Sequence, residues 1–284
     1  MTLPVIDSHV HLWHPERFPM PWLVGNAVLD RPFEPDAFSA QTGGLNVAGL
    51  VYVEVAVEPA FALLEARHVA DLAERTPLIQ GIVAHAPLEY GTRTRSYLAA
   101  LRNLGPKVKG VRRLLQGEPD PKFCLRDDFI AGVRLLPKYR FSFDICVVHT
   151  QLPAVIELVR RCPDTTFILD HLGKPDAKGG RLELWCTHIQ TLAALPNVAC
   201  KLSGLVTEAD HRDWTPAGLE PYISHVLACF GDRTLFGSDW PVVLQAATYG
   251  RWLAVAQRLT EHLSADARTQ LFSSAAKNWY RLEP

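Results

Sequence analysis

Two histidines separated by one residue, His9 and His11, follow the apolar, β-favouring pair Val5 and Ile6. In an extended strand, residues i and i+2 share a face. Both imidazoles therefore project together from a strand end, close enough to share one ion. Imidazole is the commonest protein ligand for zinc and suits several other divalent metals. Taken alone, the pair fits two satisfied polar side chains at a strand end as well as it fits a metal site. The remaining chemistry-bearing residues shift the balance towards a site.

The elements that must position these residues alternate along the chain. Short apolar runs at 5–6, 46–57, 78–84, 108–114, 141–148, 166–169, 198–202 and 234–237 read as strands. Stretches with helical periodicity separate them, at 59–75, 93–104, 127–139, 153–162, 181–195, 216–230 and 245–263. A last helix over 266–280 has Ser264 placed as its N-cap. The segment after the first run carries Pro15, Pro19, Pro21, Pro32 and Pro35, too many for a regular helix except at its end. Several of the strands are continuously apolar, as expected for strands covered on both faces. Eight strand–helix repeats predict a single α/β domain over residues 1–284, a (β/α)8 TIM barrel with an additional C-terminal helix. A doubly wound open sheet competes, but it would want a Gly-rich phosphate loop after its first strand. This chain has His-Val-His there.

Active sites in such barrels sit at the C-terminal ends of the strands. Strand one ends in Asp7, His9 and His11, strand two in Glu54, and strand three in His85. Strand four carries Arg112 and Arg113, and strand five ends in Asp144 and His149. Strand six ends in Asp170 and His171, followed by Lys174. Strand seven carries Lys201 and Ser203, and strand eight ends in Ser238, Asp239 and Trp240. Each residue alone has a bland explanation, and their shared position does not. Asp7 is read either as a group orienting a histidine ring or as a direct participant. Lys201 is read as a substrate contact or an ion pair inside the barrel. Lys107 and Lys109 are expected to solvate the start of strand four.

Three motifs in order carry a specific resemblance. They are Asp7-Ser8-His9-Val10-His11, then Asp170-His171-Leu172-Gly173-Lys174-Pro175, then Gly237-Ser238-Asp239-Trp240-Pro241. Together with Lys109-Gly110-Val111-Arg112-Arg113 and Lys201-Leu202-Ser203-Gly204, they resemble the amidohydrolase superfamily, and within it the branch of sugar-lactone and pyrone-dicarboxylate lactonases. The resemblance implies that His9, His11 and Asp239 hold one divalent metal, with zinc favoured by ligand type. Some lactonases of this branch work without a metal, and there the same histidines bind substrate. His171 matches the strand-six histidine and is assigned with Asp239 to catalysis. In metal-dependent relatives a strand-five histidine is a ligand; His149 is the candidate for that position, and otherwise a substrate contact. No lysine suited to bridging a second ion is evident.

Opening a lactone needs a polarised carbonyl, an attacking water and a proton for the departing alkoxide. A bound metal polarises the carbonyl and lowers the pKa of water. Asp239 can take the water's proton and return it to the leaving oxygen. Arg112, Arg113 and Lys174 suit hydroxyls or a carboxylate. Trp240 offers a flat face for a sugar ring. Glu54 is read as a fourth ligand, a substrate contact or the partner of an arginine.

The composition excludes other classes. Hydrophobic residues make up 48%, and 29 Lys and Arg against 30 Asp and Glu leave a net charge of -1. Neither a nucleic-acid groove nor a membrane surface is implied. No basic-then-apolar leader opens the chain, so a cytoplasmic protein is expected. Six dispersed cysteines without a CxxC read as reduced thiols. The partner expected is a small lactone, and a homodimer stays open. A decarboxylase of an aromatic or muconate-like acid, or a non-catalytic ligand-binding barrel, are the alternatives to a lactonase.

Overall fold

The computed structural model describes residues 3–283. Eight parallel strands run β1 (Val5–Val10), β2 (Val47–Val53), β3 (Ile79–His85), β4 (Val108–Arg112), β5 (Ser142–Ile145), β6 (Phe167–Leu169), β7 (Val198–Leu202) and β8 (Thr234–Phe236). They pair in sequence order. The helices are α1 (Pro35–Thr42), α2 (Ala62–Arg75), α3 (Arg95–Arg102), α4 (Asp127–Val133), α5 (Leu152–Arg161), α6 (Glu183–Ala193), α7 (Leu205–Glu208), α8 (Pro216–Phe230), α9 (Tyr249–Leu259), α10 (Ala265–Thr269) and α11 (Ala275–Tyr280). This is the (β/α)8 barrel with a C-terminal helical extension.

The β8–β1 seam closes differently from the seven ladders. A single bridge joins Val10 to Trp240. Two backbone bonds flank it, Asp239 N to His9 O (2.9 Å) and His11 N to Trp240 O (2.7 Å). Side chains supply the rest. Ser8 Oγ donates to Phe236 O at 2.6 Å. Asp7 Oδ1 accepts from the backbone N–H of His9 and of Ser238. Asp7 thus clamps two strands and orients no histidine ring, and burial pushes its carboxyl up to about 6.

Strand parity decides which residues enter the barrel. Ile6, Val51, Val53, Val83, Ile168, Ala199 and Leu235 form an inner apolar cluster. Ala275, Ala276 and Tyr280 of α11 join that cluster. The neighbouring residues face the helices: Tyr52, between Val51 and Val53, donates its hydroxyl to Glu65 of α2 at 2.7 Å.

Several boundaries differ from the sequence expectation for local reasons. β1 runs on to Val10, so the histidine pair lies in and just after the strand. The helix expected over 127–139 stops at Val133, and Pro137 allows only a 3₁₀ turn, Leu136–Tyr139, beyond it. Thr248 starts α9 later than expected, its Oγ1 accepting from Arg251 N at 3.1 Å. Ser264 does cap the last helical region, accepting from Ala267 N, but a π-helical turn, Gln270–Ser274, interrupts it. Lys109 is buried and donates to Arg281 O at 2.9 Å, so it anchors the chain's end rather than solvating β4. Among the described residues, no helix is long and apolar enough to cross a membrane.

Candidate active site

The strand ends bring His9, His11 and Asp239 together. His9 Nε2 lies 3.1 Å from His11 Nε2. Asp239 Oδ1 is 3.6 Å from the first and 3.4 Å from the second. His171 Nε2 stands 4.0 Å from the same oxygen. All four residues are buried. Asp239 sits at φ 60°, and His171, Leu172 and Lys174 also have positive φ. Non-glycine residues are seldom held so, and such conformations concentrate at functional sites. Gly204 packs against the His171 ring: a Cβ there would lie 2.5 Å from Nδ1. Any side chain at 204 would push the ring away.

Hydrogen-bond partners set the protons on the rings. His11 Nδ1 is 2.8 Å from Val53 O, which only accepts, so this nitrogen carries the proton. Its Nε2 lone pair then faces Asp239 Oδ1 and His9 Nε2. His9 Nδ1 lies 3.0 Å from Lys201 Nζ and 3.3 Å from Asp170 Oδ1. With Lys201 as donor, His9 keeps its proton on Nε2 and passes it toward His11. With Asp170 as acceptor, both Nε2 lone pairs and Asp239 Oδ1 converge, an arrangement that calls for a cation. Burial, with Lys201 next, holds His9 well below the usual imidazole range, and burial does the same to His171. Both rings are neutral near pH 7, as metal or proton acceptors must be.

Beneath the histidines lies a closed ionic network. Lys201 Nζ contacts Asp144 Oδ2 at 2.7 Å and Asp170 Oδ1 at 2.9 Å. Tyr280 donates its hydroxyl to Asp144. Arg112 Nε donates to Glu54 Oε1 and Nη2 to Glu54 O, each at 2.6 Å, and Nη1 lies 3.3 Å from Asp170 Oδ2. Arg112 and Lys201 therefore face Glu54, Asp144 and Asp170. Burial works to raise Asp170 and Glu54, but Lys201 outweighs it at the first and Arg112 at the second, and both stay low. Asp144 is instead raised, burial outweighing Lys201. For Asp239, burial is outweighed by the polar groups around it, His171 first, then His11 and Lys174, so its carboxyl is held low and ionised.

A cavity of about 270 Å³ opens above this floor, and His11, Arg112, His171, Lys174 and Asp239 reach it. Lys174 also pairs with Glu208 at 3.2 Å. Four residues expected to touch substrate do not line this cavity. Glu54 is occupied with Arg112, beneath the surface. Arg113 points to the opposite face of β4 and pairs with Glu89 (3.0 Å) and Glu118 (2.6 Å). Trp240 is fully buried, its ring edge-on to Phe33 and Phe38, so no face is free for a sugar. His149 hydrogen-bonds Lys174 O through Nδ1, and the residue facing the cavity after β5 is Cys146. Lys201 is the ion pair, not the substrate contact.

Other members were not assigned from sequence. Asp170 had a signal, since it precedes His171 at a strand end. Ser203 Oγ holds His171 Nδ1 at 2.9 Å. Trp22, on a 3₁₀ turn (Pro21–Leu23) in the proline-rich loop, lines the cavity with no periodicity to announce it.

The donor set fits a divalent ion. His9, His11 and Asp239 offer ligand atoms within 4.8 Å of one another, and His9, Asp170 and His171 do the same. The converging lone pairs point the same way.

Comparison with known proteins agrees with this picture. A family model described as amidohydrolase matches residues 6–282. An L-fucono-1,5-lactonase of Burkholderia multivorans is 35% identical over 290 residues, covering 98% of this chain and 96% of that protein. An L-rhamnono-gamma-lactonase of Scheffersomyces stipitis is 23% identical, covering 98% of each. The crystal structure of a Burkholderia multivorans amidohydrolase with bound zinc superposes with a TM-score of 0.90 at 33% identity, over 99% of this chain and all of the other.

Proposed function

The chain belongs to the amidohydrolase family, and from that premise and the site's geometry we propose that it hydrolyses a sugar-acid lactone of the L-fucono- or L-rhamnono-lactone kind. Sugar-lactone hydrolysis in general is supported by its relatives. The observation that carries the finer reading is the convergence of Asp239 with the two neutral histidines, His11 and His171, on the floor of a cavity that Arg112 and Lys174 also reach.

In this reading His9, His11 and Asp239 hold one divalent ion, with zinc matching the donors. When bound, the ion supplies Lewis acidity at the carbonyl and acidifies water. The chain's own groups do the rest. Arg112, braced by Glu54 on one side and Asp170 on the other, keeps its guanidinium at the cavity wall and contacts substrate oxygens without moving. Lys174, held by Glu208, is placed for a hydroxyl. Asp239 is ionised and takes a proton as water's oxygen bonds to the carbonyl carbon. The ring C–O bond then breaks, and the same proton goes to the departing ring oxygen. His171, neutral and anchored through Ser203, stands beside Asp239 to share that transfer.

Incubation with L-fuconolactone tests the reading. Acid is released without carbon dioxide; release of carbon dioxide, or no turnover of any aldonolactone in a panel, overturns it. Metal analysis of protein purified without chelator gives one equivalent or less per chain. Two tightly bound ions would refute the single-ion site.

A further inference from the structure

We propose that Trp22 is a specificity-determining residue, forming with Val55, Leu114 and Val242 an apolar wall that selects a lactone whose chain ends in methyl rather than hydroxymethyl. The inference rests on the lactonase reading and deepens it.

The cavity has two characters. Its polar floor is Asp239, His11, His171, Arg112 and Lys174. The remaining lining is Trp22, Val55, Ala56, Leu114, Cys146 and Val242, with Gln116 as its one polar side chain, already accepting from Cys146 Sγ. Trp22 is 43% exposed, unusual for so large an apolar side chain. Yet it is not loose. Its Nε1 donates to Val55 O at 2.8 Å. Its ring stands edge-on to Trp13, at 5.5 Å and 83°. Trp13 in turn is tied by its own Nε1 to Leu29 O and Arg31 O. Since the indole's only donor is already spent, Trp22 offers the cavity apolar surface and no hydrogen bond.

A ligand that fits must be polar along one side and apolar at one end. The lactones of 6-deoxyhexonic acids have that form, with hydroxyls along the ring and a terminal methyl. A hydroxymethyl in the same place brings a hydroxyl against carbon and strips it of water without replacement. An apolar pocket discriminates against one added hydroxyl by about a hundredfold at most.

The experiment compares L-fuconolactone with L-galactonolactone of the same ring size, which differ only in that terminal group. For the unmodified protein, kcat/KM favours L-fuconolactone by about ten- to a hundredfold. In Trp22→Ala the preference collapses, mainly through KM for the methyl substrate, while kcat holds. Trp22→Phe, which keeps an aromatic face, retains most of it. Thermal midpoints are followed for both variants, and a fall in kcat for both lactones alike marks a structural role and overturns the proposal. Equal efficiency of the unmodified protein on the two lactones also overturns it, leaving the lactonase reading intact. No turnover of either lactone overturns both.

Discussion

Arg112 ends β4 and Arg113 follows it, yet the two side chains stand in chemically different surroundings. Arg112 points into the barrel, is buried, and is gripped by Glu54 and Asp170 under the cavity. Arg113 points out, and shares Glu89 and Glu118 at a partly exposed edge. Both form ion pairs at similar distances. What separates them is solvent: full burial makes the first pair costly to break, whereas partial exposure makes the second cheaper to lose. Tyr52 and its neighbours on β2 repeat the rule, with the valines inward and the tyrosine outward. Strand parity, more than residue type, assigns the roles.

Substitutions can break or sharpen that contrast. The largest effect is expected inside. Asp239→Asn keeps volume and an acceptor oxygen but cannot take a proton, so kcat falls by about 10²–10⁴-fold with the thermal midpoint little changed. Near wild-type kcat would remove Asp239 as proton carrier. Next, Arg112→Gln leaves Glu54 buried and unpaired, costing on the order of 3–5 kcal/mol of stability and most activity, read by denaturant titration and kcat/KM.

Outside, effects shrink. Glu65 is buried beside α2's partners, and burial, with Glu54 adding to it, pushes its carboxyl up to about 8. A raised acid binds its proton more tightly when folded, so stability is greatest below its unfolded pKa. That stability is lost as pH rises from about 4.5 toward 8. Glu65→Gln flattens this decline, as thermal midpoints between pH 5 and 8 will show. An unchanged slope would clear Glu65 of the effect. The smallest change belongs to Arg113→Gln: about 0–1 kcal/mol, with kcat/KM unaltered. A large loss of activity there would end the inside–outside distinction.

The barrel was legible because its signals are local and repeated: apolar runs, helical periodicity, and polar residues where each strand stops. His9, His11, His171 and Asp239 could be grouped because the ordered motifs that carry them resemble one superfamily, and the structure brings the four side chains together. The expected residues that stand away from the cavity share a different cause. Arg113 and Trp240 each lie one step from a residue that reaches the cavity, and only the course of the backbone tells the neighbours apart. Trp240 follows Asp239, whose left-handed backbone turns the next side chain into the core. At the end of strand five the sequence points to His149, yet Cys146, nearer the strand, lines the cavity, and His149 bonds Lys174 O. Trp22 reaches the cavity through a loop whose course depends on tertiary bonds to Leu29, Arg31 and Val55, and nothing in its neighbours' spacing encodes that.

The seam between β8 and β1 has one more consequence. Among the described residues it is the one strand pairing that rests on a bridge and side-chain clasps, and the candidate site straddles it: His9 and His11 on one side, Asp239 on the other. Opening it by a single step parts those groups while seven strand pairings and the surrounding helices stay in register. Catalytic competence and ring closure are one event. Heating should therefore silence the enzyme before circular dichroism registers any loss of helix, the gap measuring how readily the clasp breathes.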